Sequence, residues 1–236
     1  MPEPTAERDA RRQERFSRMR AIRVAMSLDP FLGPQLLVAG AIALDLFLPE
    51  RLTPGPAWLL PSVEGALLVA LVVVSPHPRW RESGPRRTVA IGLIALVSAT
   101  NFFSLVELVR YLLHGGHTSS GRPLIFAGIQ LWLTNVLLFA LWYWELDRGG
   151  PSLRAANRTQ RPDFMFPQDA DPKIARPDWS PGLVDYLYVS FTNATAFSPT
   201  DTMPLSQSAK LLMTAQALAS LLIVVLVVSR AVSILA

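Results

Sequence analysis

The chain contains no cysteine. That excludes disulfides, thiolate nucleophiles and zinc–sulfur centres. It has little charge: Asp, Glu, Lys and Arg make up 17% of 236 residues against 50% hydrophobic, a balance that leaves few polar faces for soluble helices. No Gly-rich phosphate loop, nucleophile elbow or HExxH occurs, so no catalytic constellation is visible and an enzyme is not expected. His114 and His117 in HGGH have no carboxylate nearby, which leaves them a weak metal signal; neither metal nor cofactor is expected. The basic excess, 22 Lys and Arg against 18 Asp and Glu, reports membrane orientation and calls for no nucleic-acid partner.

What the chain has in quantity is apolar runs. Ala57–Ser75, Thr88–Leu113, Pro123–Leu146 and Leu211–Leu235 are near or above the length that crosses a bilayer, about 20 residues. Leu32–Leu48 is a marginal fifth. The expected class is an all-α, polytopic helical membrane protein with five to six membrane helices. The first run starts too late for a typical signal peptide and lacks a small-x-small cleavage site, so its removal is not expected.

Arginine sets the expected orientation. Residues 1–30 carry seven Arg, the loop SPHPRWRESGPRR carries four, and Asp147–Gly182 carries five with one Lys. The loops PERLTPGP and HGGHTSSGR hold one Arg each, Arg51 and Arg122. If the first four runs span, the basic segments share one side, and the positive-inside rule puts them in the cytoplasm of a bacterial inner membrane.

Four segments follow. Residues 1–30 form a basic N-terminal part in which Phe16, Met19, Ile22 and Met26 lie on one helical stripe ringed by Arg15, Arg18, Arg20 and Arg23, a pattern suited to an anionic inner leaflet. Residues 31–146 are a four-helix membrane domain. Residues 147–182 are polar and Pro-rich without sustained period and read as an extended loop, with Phe164, Met165, Phe166 and Trp179 docking at the interface. Residues 183–236 hold a short apolar helix and a final membrane helix.

Ionisable groups at membrane depth are functional candidates. Asp45 lies near the outer end of the first span and Glu64 two turns into the second. They are candidates for proton or cation contact, or for structural pairing with Arg110 as the basic partner. Glu107 and Arg110, three apart, share a helix face and can pair. Gln130, Asn135 and Gln216 are candidates for hydrogen bonds between helices.

The stretch YLYVSFTNATAFSPTD, Tyr186–Asp201, runs from aromatic to hydroxyl-rich and ends on an acid before the last long helix. Asp185 favours a helix start and Pro199 stops the helix. A half-helix, a polar strand and a full helix make the layout of a re-entrant loop, whose non-helical backbone is tolerated only where protein buries it or water lines it. Either the loop enters from the cytoplasm and returns, leaving the C-terminus outside, or Leu183–Ser198 crosses as a short sixth span and the C-terminus is inside.

FALWYWELDRGG, DFMFP and DYLYVSFTNATAFSPTDTMPLSQSAKLLMTAQALASLLIVVLVV together resemble the C-terminal half of an uncharacterised bacterial family of predicted integral membrane proteins, over about 100 residues. More distantly, about 50 residues resemble the pore helix, filter and inner helix of potassium channels. Thr192 and Thr195 fall where those channels have Thr, and Asp201 where their filter ends in Asp. The paired filter glycines are replaced by Ala196-Phe197-Ser198-Pro199-Thr200, which hinders the alternating φ that aims carbonyls at an axis. The resemblance implies a channel-like protein conducting monovalent cations, with Thr192, Asn193, Thr195, Ser198 and Asp201 lining the path, in a homo-oligomer of four copies. The rival expectations are a non-conducting membrane scaffold or accessory subunit and, third, a proton-coupled transporter using Asp45 or Glu64.

Overall fold

The structure, a computed structural model, describes residues 32–49, 52–53, 58–74, 84–114, 121–156, 161–171, 173–174, 179–196 and 201–235. It is mostly helical. Helices α1 (Leu32–Leu46), α2 (Leu59–Val74), α3 (Gly84–His114) and α4 (Gly121–Leu146) come first. A 3-10 turn (Asp147–Gly149), α5 (Pro151–Ala156), strand β1 (Phe164–Met165) and α6 (Pro167–Ala170) follow. The chain ends with α7 (Leu183–Ala196), strand β2 (Met203–Pro204) and α8 (Gln207–Leu235). The interfacial stripe expected in residues 1–30, Ser198 and His117 lie outside the described residues.

Among the described residues three helices are long and apolar enough to cross a membrane, over Arg86–Leu112, Pro123–Gly149 and Gln207–Val232. Within the run Ala57–Ser75 the described helix is Leu59–Val74, and α1 and α2 as described have 15 and 16 residues. At 1.5 Å per residue each reaches about 22–24 Å, short of a hydrocarbon core of about 30 Å.

Helix α4 is the hub and packs on α1, α3, α7 and α8. Half of its apolar stretch is buried, against 22% for α8, whose main helix partners are α4 and α7. Helix α3 runs antiparallel to α4: Arg87 at its start donates to the Glu145 carbonyl at 3.1 Å, and Leu105 further along shares a cluster with Leu131. Helix α1 is also antiparallel to α4, with Gly40 facing Leu137 and Leu48 in the Leu131 cluster. Helix α2 packs on α1 and α3.

Both α7 and α8 start near the C-terminal end of α4 and run back along it. On α7, Tyr186 reaches Asp147 at 2.5 Å and Ser190 reaches the Val136 carbonyl at 2.7 Å. On α8, Gln216 accepts from Tyr143 at 2.6 Å, Ser220 accepts from Asn135 at 2.8 Å, and Ile223 and Val227 lie over Gly128. Helices α7 and α8 are therefore parallel to each other. Between Ala196 and Gln207 the chain returns to the end from which α7 set out. There β2 pairs antiparallel with β1, Phe164 opposite Pro204 and Met165 opposite Met203.

The segment 147–182, expected as an extended loop at the interface, is instead partly folded into the protein core. Phe164 and Phe166 are buried with Tyr143, Tyr186, Val189, Ala209 and Met213. Trp179 packs edge-on against Phe166 at 5.9 Å. A short Pro-rich segment shows no period, so only its tertiary partners assign these rings.

Gly128 marks the closest approach of α4 and α8. A Cβ there would collide with the branched, buried side of Val227. Gly128→Val should lower the midpoint of thermal unfolding in detergent, at an overpacking cost of about 1–3 kcal/mol. Adding Val227→Ala should restore most of it.

Candidate functional site

Local chemistry sets where α7 begins. Asp185, in its first turn, accepts from the Gly182 backbone N–H at 2.7 Å, so a carboxylate satisfies one orphan donor and complements the positive helix end. Ser206 caps α8 in the same way, its hydroxyl accepting from Ala209 N–H at 3.2 Å. Both starts sit on the platform made by β1, β2 and the end of α4.

The platform is organised by Asp147, which is fully buried. Its carboxylate accepts from the Asp163 and Phe164 N–H groups at 2.8 and 3.3 Å and from the Tyr186 hydroxyl at 2.5 Å. Arg154 donates to the Trp144 and Asp147 carbonyls at 3.0 and 2.9 Å, closing the end of α4, and its guanidinium lies 5.1 Å from the Tyr186 ring. Arg148 has φ 54°, followed by Gly149 and Gly150 at φ 76° and 102°. That left-handed turn is why DRGG ends the helix: glycine adopts it without strain. The Arg148 side chain is held in place by a forked pair with Asp169 at 2.7 and 2.8 Å.

Deeper along the bundle, Gln216 clasps α7 between α4 and α8. Its carbonyl oxygen accepts from Tyr143 at 2.6 Å and Asn193 at 2.9 Å. Its amide donates to the Ser190 hydroxyl at 2.6 Å and the Ser190 carbonyl at 3.0 Å. Asn193 also donates to the Met213 carbonyl at 2.9 Å. Gln216 and Ser190 are fully buried and Asn193 is 3% exposed, so each of these donors would be costly without its partner.

Of the five residues expected along a path, the four that are described, Thr192, Asn193, Thr195 and Asp201, do not converge on one surface within a chain. Asn193 turns into the protein's own bundle. Thr192 and Thr195 bond back to the carbonyls of Tyr188 and Phe191, both at 2.9 Å, and Thr195 is exposed. Asp201 is exposed and accepts a long contact from the Tyr188 hydroxyl at 3.4 Å. A cavity of about 390 Å³ opens beside them, with Asn193 and Met213 at its floor and Pro204, Lys210, Ala217 and Leu221 around it.

Among the intramembrane candidates, Glu107 and Arg110 pair at 3.0 Å on a largely exposed face. Asp45 and Glu64 are buried, and the ion pairs among the described residues leave both out; Arg110 is engaged with Glu107 rather than with them. Sequence reasoning missed Tyr143, Ser190, Asp147 and Arg154. The available signal was their polarity within or just after an apolar run, beside Gln216, which the sequence did single out. Among the described residues no three His, Cys, Asp or Glu side chains gather as a metal site would require. No family model, curated protein or solved structure matches the chain.

Gln216→Leu should leave Ser190, Asn193 and Tyr143 without their shared partner. The expected loss is about 2–4 kcal/mol, at roughly 1–3 kcal/mol per buried orphan group with partial relaxation, read as a lower unfolding midpoint. Asp147→Asn should chiefly loosen the platform: amide exchange at Asp163 and Phe164 should rise, while α3 exchange stays unchanged.

Proposed function

We propose that this chain is a channel-like integral membrane protein with a re-entrant half-helix, passing cations through a non-standard pore loop when copies assemble. One observation carries the reading: α7 and α8 begin at the same end of α4 and run parallel. A chain that crosses twice in succession gives antiparallel neighbours. A chain that dips in and returns gives parallel ones, as here. The sequence that joins them, Ser198 to Thr202, is rich in hydroxyls and carries an acid, as suits backbone that turns back at membrane depth.

On this reading α1, α2, α3, α4 and α8 are the five spans and α7 is the half-helix. The short α1 and α2 are accommodated by local thinning of the bilayer. The end of α4 carries Arg86, Arg87, Arg148 and Arg154, so it faces the cytoplasm of a bacterial inner membrane. The half-helix then enters from the cytoplasm and the C-terminus lies outside. Thr192, Thr195, Ser198 and Asp201 supply hydroxyls and an acid to the path, while Asn193 fixes the depth of α7. The stripe Val184, Tyr188, Phe191 and Thr195, exposed on one face of α7, is where a second copy of the chain would close the path.

A second reading is favoured by the Gln216 clasp itself. All four of its hydrogen-bonding positions are filled within one chain, as suits a rigid, non-conducting scaffold or accessory subunit.

The lack of cysteine makes the test clean. Single cysteines at Ser180 and Asp201 should react with an impermeant maleimide from the same, cytoplasmic, side of oriented vesicles. Reaction from opposite sides would establish a sixth span instead. In proteoliposomes, Asp201→Asn should reduce cation flux several-fold and Thr195→Ala should alter ion preference. Well-folded protein without flux in any cation gradient would leave the scaffold reading.

A further inference from the structure

A second polar site lies away from α7 and α8, on the first four helices. The facing stripes of the antiparallel pair α1 and α4 are apolar over Val38, Ala41 and Ile42 against Leu138 and Leu141. One turn further toward the α1 C-terminus these stripes reach Asp45 on α1 and Thr134 on α4. Both are buried, Asp45 at 6% and Thr134 at 0% exposure. Glu64 of α2, also 0% exposed, lies within electrostatic reach of Asp45. It accepts from Thr100 of α3 at 3.2 Å. Each of the four helices thus supplies one oxygen-bearing side chain at this level.

Among the described residues the site has no basic partner. Asp45 Oδ2, Glu64 Oε2 and Thr134 Oγ1 are buried without a hydrogen-bond partner. Asp45 is the only titratable group on α1, and Glu64 the only one on α2. On α3 the nearest charged groups are Glu107 and Arg110, about two turns beyond Thr100 and paired with each other. On α4, Tyr143 and Glu145 lie toward the opposite end, Glu145 against Arg87 at 3.7 Å. Two buried carboxylates without a counter-ion among the described residues repel each other and forgo hydration, a state that a protein leaves by neutralising a group.

We propose that Asp45 and Glu64 form a proton-binding site, in which the pair carries one proton at neutral pH and Thr100 and Thr134 complete its hydrogen bonding. A proton fits better than a metal cation. Two carboxylates and two hydroxyls supply few ligands for a metal cation, which takes about six or more oxygens, whereas one proton needs only a donor and an acceptor. The proton also supplies the missing donor: a carboxylic O–H can donate to an oxygen that is now orphaned. The site stands independently of whether the α7–α8 module conducts.

Infrared difference spectroscopy of the full chain in liposomes tests this. At neutral pH the wild type should show one protonated carboxyl C=O band per chain that shifts in D2O. The band should weaken or move in Asp45→Asn and in Glu64→Gln, and vanish in the double variant. It should persist in Glu145→Gln and be unchanged when Na+ replaces K+. These amides keep side-chain shape, and the wild-type isotope shift requires no variant. A wild-type spectrum without the band, or equal to that of the double variant, overturns the proposal. A band that appears only after Na+ is withdrawn overturns it in favour of a sodium site.

Discussion

The side-chain amide of Gln216 is the contact on which the C-terminal half depends. It sits on α8, yet all its hydrogen bonds go to α4 and α7. In a bundle of apolar helices, burial discriminates poorly among rotations and depths, since lipid and protein are equally apolar. A four-bonded amide discriminates sharply, because sliding either helix by one residue orphans several buried groups at once. The clasp therefore fixes the depth of α7, a helix of 14 residues too short to be fixed by its own hydrophobic length.

Asp147 does the same work at the surface. It receives two backbone amides from the start of β1 and the phenol of Tyr186, and so joins the end of α4, the return of the loop and the start of α7. The buried rings of Phe164, Phe166 and Tyr186 fill the space beneath it. A polar segment thus becomes a lid over the bundle, and β2, pairing with β1, delivers the chain to the start of α8. The two nodes lie at successive levels along α4, which explains why that helix is the most enclosed of the three long ones.

The polar groups of the two halves are arranged differently. Around Gln216 every donor has an acceptor, and the result is rigidity. Around Asp45 and Glu64, among the described residues, buried acceptors outnumber donors, and on the inference drawn above a proton makes up the difference. A satisfied network specifies a fold, whereas an unsatisfied one binds something.

Much was legible in the sequence. Apolar run length gave the long helices and the helical class, because a bilayer-length helix needs a long stretch of apolar residues. Gln216, Asn135, Asp45 and Glu64 stood out as polar letters in apolar text. Run length overstated α1, whose helix ends at Leu46 while the apolar run goes on to Leu48, since apolar letters beyond a helix end still count in a run. What only the tertiary structure decided is partnership and direction. That Asn193 faces Gln216 rather than a path, that Phe164 is core rather than interface, and that α7 runs parallel to α8 all depend on contacts between residues far apart in the chain, 23 positions for Asn193 and Gln216 and 85 for Asn135 and Ser220. Periodicity is a property of neighbours along the chain, and it carries no information about such pairs.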